Sequence, residues 1–105
     1  MQCIKLQIIK QLNGNELVIF LKGELNTTTS PELDTIIQKD LRNIDKLIID
    51  MLDLVYLTSA GLRVLLVAQK IMSERKGQLI IRHVNKEIAE VFNITGFNNV
   101  LTIES

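Results

Sequence analysis

The run Leu47–Met72, LIIDMLDLVYLTSAGLRVLLVAQKIM, constrains this chain more than any other stretch. Leu47, Ile48 and Ile49 are consecutive β-prone apolar residues, the pattern of a strand buried on both faces. From Leu62 the apolar positions recur at helical spacing through Leu65, Leu66, Gln69 and Met72. The change of period falls at Leu57–Gly61, where Thr58, Ser59, Ala60 and Gly61 are all small or hydroxylated. A helix can therefore begin close to the surface, with a hydroxyl of Thr58 or Ser59 as its N-cap and Ser59 in or beside its first turn. A strand, a tight polar turn and a helix in that order make an α/β fold, and the rest of the chain reads as scaffold for the turn.

Upstream, Ile4, Leu6 and Ile8 alternate with Lys5 and Gln7, the period of a half-buried strand. Asn13, Gly14 and Asn15 signal a turn into a second strand over Glu16–Lys22, ended by Gly23, so the first two strands form an antiparallel hairpin. Thr29 or Ser30 caps a helix with Pro31 at its first position and Glu32 in its first turn. Its apolar stripe is Leu33, Ile36, Ile37 and Leu41. After a link at Asn43–Lys46 comes the buried strand, closed by Asp50, and the strand–helix–strand order predicts parallel pairing through a right-handed crossover. The central helix runs from about Ser59 to Arg75, with Gly77 as a left-handed cap. Gln78–Val84 is the next strand, Asn85 caps a third helix bearing Ile88, Val91 and Phe92, Gly96 ends it, and Val100–Ile103 forms an edge strand or docked tail. No repeat or linker interrupts residues 1–105, which read as one domain with a mixed four- to five-stranded sheet and helices mainly on one face.

Composition narrows the function classes. A chain of 105 residues can bury roughly 65% of its unfolded surface. Twelve basic and twelve acidic residues give zero formal charge, so the basic field that nucleic acid or an anionic membrane requires is absent. Cys3 is the only cysteine and His83 the only histidine, which leaves no zinc spacing and suits a reducing cytoplasm. MQCIKLQIIK alternates instead of forming a secretory apolar block, and no run reaches the roughly 18 apolar residues a membrane span needs. Neither G-x-x-x-x-G-K nor G-x-G-x-x-G occurs, so no cofactor is expected and any ATP belongs to a partner.

The segment VYLTSAGLRVLL resembles the signature of the STAS domains, the sulphate-transporter and anti-sigma-factor-antagonist family, and most resembles the free-standing antagonists. Gly23, Glu24 and Leu25 match that family's G-E-L segment, and Thr95, Gly96 and Phe97 its small-Gly-apolar segment, so the resemblance covers nearly the whole chain. It implies a STAS-like fold and a bacterial transcription regulator that binds and does not catalyse. Matched position by position, the phosphorylated serine is Ser59, followed by Ala60, Gly61 and Leu62, while Thr58 and Asn26 complete the expected partner surface. The implied partners are an anti-sigma factor with serine kinase activity, whose sigma factor is released, and a serine phosphatase that resets the cycle. Family antagonists often carry Asp where this chain has Asn26 and Thr58, so two negative charges are absent beside the site.

Other readings remain open at this point. Ser59 is also an ordinary helix-start serine, and Asn26 a turn residue. A STAS accessory subunit of a transporter ATPase or sensory assembly would share the fold without phosphorylation. A hydrolase or transferase with Ser59 as nucleophile would need His83 as its base and an oxyanion hole. Asp50 and Asp53 could pair as carboxylates but read more simply as turn chemistry, and Tyr56 reads as packing.

Overall fold

The hairpin forms where expected. In the computed structural model, which describes residues 6–104, β1 (Gln7–Asn13) and β2 (Glu16–Leu25) pair antiparallel through a two-residue turn, with Gly14 at φ +62°. A glycine at the first central position with a left-handed φ gives the reversed turn whose twist matches the flanking strands. Ile4, Lys5 and Cys3 lie outside the described residues. β2 leads to α1 (Ser30–Asp40), then β3 (Lys46–Leu57), α2 (Ser59–Glu74), β4 (Gln78–Arg82), α3 (Lys86–Thr95), a short 3-10 turn over Phe97–Asn99, and β5 (Thr102–Glu104). The five strands lie in the order β1-β2-β3-β4-β5, parallel from β2 onward.

All three helices contribute to one core, on one face of the sheet. Leu33 and Ile37 from α1, Leu65, Ala68 and Met72 from α2, and Ile88 and Phe92 from α3 close on Ile19, Leu47, Ile49 and Ile81. On the opposite face, the register partners Val18, Ile48 and Ile80 form a small separate cluster with Phe20 against it. The expected fold is therefore present, with five strands.

Three local expectations are corrected. Gly23 does not end β2, which continues to Leu25, and Asp50 does not close β3, which continues to Leu57. The cause is a pair of bulges: Phe20 to Leu25 of β2 lies against Asp50 to Leu57 of β3, so β3 holds two more residues over the same length. Each extra residue shifts the alternation, and burial recurs at Met51, Leu54 and Leu57 instead of at every second position. At the end of α2 the left-handed residue is Lys76 (φ +61°), not Gly77. A Cβ on Gly77 would lie 2.7 Å from the Asp45 carbonyl oxygen, so glycine is required there by close approach.

Candidate functional site

Beyond Asp50 and Arg82, β3 and β4 part, and the last seven residues of β3 pair only with β2. That projecting end delivers Thr58 and Ser59 to the surface. The Thr58 N–H donates to the Leu25 carbonyl (3.0 Å), which carries the strand pairing up to the first residue before α2. The turn and the loop that starts at Asn26 thus leave the sheet side by side.

Ser59 is the first residue of α2 and is exposed. Neither hydroxyl caps the helix, contrary to expectation: Thr58 occupies the N-cap position without a side-chain cap bond, and its Oγ1 is buried with no partner among the described residues. Gly61 has a steric reason. A Cβ there would lie 2.6 Å from Leu57 Cδ1 and 2.8 Å from Leu25 Cγ, so the first turn of α2 is pressed onto the ends of β2 and β3. Gly61 is buried and Leu62 is 5% exposed, so these two residues seat the helix and do not offer surface to a partner. The accessible part of the expected site is Ser59, with Thr58, Ala60 and Asn26 half-buried around it.

Asn26 is the organiser of its loop. Its Oδ1 accepts from the backbone N–H of Thr28 (2.9 Å) and Thr29 (3.1 Å), and its backbone N–H donates to Thr29 Oγ1 (2.8 Å). Ser30 donates from both its N–H and its Oγ to the Asn26 carbonyl. Thr29 holds the N-cap position of α1, but its hydroxyl donates back to the Glu24 carbonyl (2.8 Å) instead of capping. A groove of about 420 Å³ between α1 and α2, lined by Thr27, Pro31, Asp34, Ala60, Arg63 and Val67, opens beside Ser59.

The apolar side chains around the turn were not legible as surface. Leu52 (66%), Val55 (54%) and Tyr56 (53%) are exposed on the projecting end of β3, so Tyr56 is not a packing residue. Only the bulges, which turn these positions outward, reveal this.

At the fork, Asp50 is 4% exposed. Its carboxylate accepts from the Leu52 N–H (3.0 Å) and Arg82 Nε (3.1 Å) and lies 3.0 Å from His83 Nδ1. Burial pushes its pKa up, but the Leu52 N–H, the Arg82 guanidinium and His83 together outweigh burial and hold the carboxyl below its ordinary value. His83 adopts φ +60° beside it. Asp53 is exposed and lies opposite Lys22, so the two aspartates do not form a carboxylate pair. From Asp50 to Leu57 the strand runs seven residues, roughly 20 Å. His83, bound at the near end, is thus too distant to act as a base for Ser59 at the far end. Among the described residues no group of three or more His, Cys, Asp or Glu could hold a metal, and no helix is long and apolar enough to cross a membrane.

Residues 7–105 match the STAS domain. The chain belongs to the STAS family. It is 26% identical over 98 residues to the anti-sigma-B factor antagonist of Listeria monocytogenes, covering 92% of this chain and 86% of that one. An anti-sigma factor antagonist from Mycobacterium paratuberculosis has the same fold, with a TM-score of 0.84 at 18% identity over 94% of this chain and 85% of that one. SpoIIAA of Bacillus in its phosphorylated form superposes with a TM-score of 0.74 at 18% identity, covering 95% and 91%. In this STAS domain the fork, the two bulges and the glycine contact combine to hold one exposed serine at a helix start.

Proposed function

We propose that this protein is a cytoplasmic anti-sigma factor antagonist that acts by binding and has no catalytic activity of its own. Dephosphorylated, it docks through Ser59 and its surroundings on an anti-sigma factor with serine kinase activity, and so releases a sigma factor. The kinase brings the ATP and transfers a phosphoryl group to Ser59 Oγ; the modified turn leaves the complex, and a serine phosphatase restores it. The observation that carries this reading is the exposure of Ser59 at the first position of α2, on a turn braced by the Thr58–Leu25 backbone bond and the Gly61 contact. The names of the relatives support the partner class.

The test is affinity capture from a lysate of the native cells, followed by binding and phosphorylation with the purified partner. Ser59→Ala is expected to bind a kinase-type ATPase as wild type does but to accept no phosphate. Ser59→Asp is expected to bind at least tenfold more weakly, equivalent to about 1.4 kcal/mol. Phosphate appearing on Thr58 instead would reject the assignment of Ser59. Equal capture of a transporter ATPase or sensory assembly by wild type and Ser59→Asp would establish the accessory-subunit role in its place.

A further inference from the structure

β1 is an edge strand of seven residues, whereas the opposite edge, β5, has three. Exposed edges are templates for pairing, and proteins usually blunt them with charge, proline, bulges or brevity. β1 is not short and has neither proline nor a bulge. Its register with β2 is unbroken from Gln7 to Asn13, and its single charge, Lys10, is drawn aside to Asp40 (2.7 Å). Ile9 and Leu12 are each 61% exposed.

The backbone of this edge is in register to receive a strand. A two-residue turn makes Asn13 and Glu16 a hydrogen-bonded pair, and strict alternation then gives Gln11, Ile9 and Gln7 the inward bonds to β2. Ile8, Lys10 and Leu12 consequently turn their N–H and C=O groups outward. We infer that β1 joins β1 of a second copy of this chain, antiparallel about a two-fold axis at Ile9, making the two five-stranded sheets continuous.

The register follows from the side chains. Centred on Ile9, the pairing sets Ile9 against Ile9, Gln7 against Gln11, and Ile8 against Lys10, which exchange both backbone bonds. Centring on Lys10 would satisfy the same backbone groups but set two lysines face to face, a destabilising arrangement. Ile9 is also the register partner of Phe20, which packs on the Val18–Ile48–Ile80 cluster, so the two-fold axis joins the apolar stripes of both helix-free faces. A second copy is favoured over a foreign strand because the register is self-complementary, and the zero formal charge sets no long-range repulsion against that pairing. Ser59 follows β3, two strands away, so assembly leaves both turns open and does not depend on the proposed function.

Sedimentation equilibrium of the full chain, with Cys3→Ser to remove the native thiol, tests this. The weight-average mass is expected to rise from monomer to dimer below about 1 mM. Ile9→Lys should raise the dissociation constant tenfold or more while the amide spectrum of the hairpin is retained. In the Cys3→Ser background, Ile9→Cys should form an intersubunit disulfide on mild oxidation. Gln11→Cys should not, because the two Gln11 positions lie about 13 Å apart in this register. A monomer throughout that range, no effect of Ile9→Lys, or equal cross-linking at position 11 would each overturn the inference.

Discussion

Replacing Gly61 with Ala decides whether the start of α2 is a close-packed joint or an ordinary helix turn, because the two views predict opposite signs. Alanine in a helix is favoured over glycine by about 1 kcal/mol. Against that, the new Cβ would stand 2.6 Å from Leu57 Cδ1, 2.8 Å from Leu25 Cγ and 2.9 Å from Leu25 Cδ2. Comfortable carbon contacts begin near 3.5 Å, so a displacement of about 0.6 to 0.9 Å is required. Leu25 is fully buried and Leu57 nearly so, which leaves little room for either to yield. Overpacking of this kind costs about 1–3 kcal/mol, so net destabilisation of up to about 2 kcal/mol is expected from urea unfolding of the variant. A double-mutant cycle with Leu57→Ala isolates the contact, since removing Cδ1 should recover part of the loss. If Gly61→Ala is more stable than wild type, with no coupling to position 57, the packed joint is wrong.

Three further perturbations test the frame behind the turn. Asp50→Asn should lower stability at neutral pH by about 1–3 kcal/mol, less than a fully enclosed pair because Arg82 and His83 are partly exposed. Since the folded pKa of Asp50 is depressed, its contribution is complete above the ordinary value of 3.8 and is lost as pH falls through the lower folded value, so the variant should flatten the acid limb of the stability profile. Asn85→Ala should cost about 1–2 kcal/mol in thermal or urea unfolding. Oδ1 caps α3 at the Ile88 N–H (2.8 Å), while Nδ2 donates to the Leu54 carbonyl on the unpaired edge of β3 (3.0 Å). Lys76→Gly should raise stability by about 0.5–1 kcal/mol, as Lys76 is exposed and held at φ +61°.

Where local chemistry decides the backbone, the sequence was sufficient. Asn13-Gly14-Asn15, Pro31, Asn85 and Gly96 each mark a boundary that the structure keeps, because the turn or cap is satisfied by residues within a few positions. The misreadings of strand ends, of surface and of Gly77 come from distant contacts. Asp50 resembles a strand terminator until Arg82, the last residue of β4, and His83 just beyond it enclose its carboxylate. Leu52, Val55 and Tyr56 resemble core until two bulges against β2 turn them outward. Gly77 resembles a left-handed cap because the carbonyl of Asp45, which excludes its Cβ, lies over thirty residues earlier. At the candidate site the motif located Ser59 correctly as a helix-start residue. It could not separate residues that face outward from Gly61 and Leu62, which face Leu25 and the core.

That separation bears on how a phosphate at Ser59 would act. A phosphoserine carries about −1.5 to −2 charges, and at the first position of α2 it faces the positive end of the helix dipole, which favours it by roughly 0.3–1 kcal/mol. Arg63, exposed and four residues on, stands on the same helix face and adds a second favourable charge. The buried residues of the motif lie beneath the helix and are untouched, so the isolated fold gains slightly or is unchanged. In a complex the same dianion loses its water, and an enclosed charge without matched partners costs several kcal/mol. The first effect is carried by the helix itself, free or bound, and keeps the fold intact; the second arises only in the complex and favours the free, phosphorylated protein over the bound one. A turn that is exposed, rigid and already compatible with an anion can therefore switch binding without altering the fold beneath it.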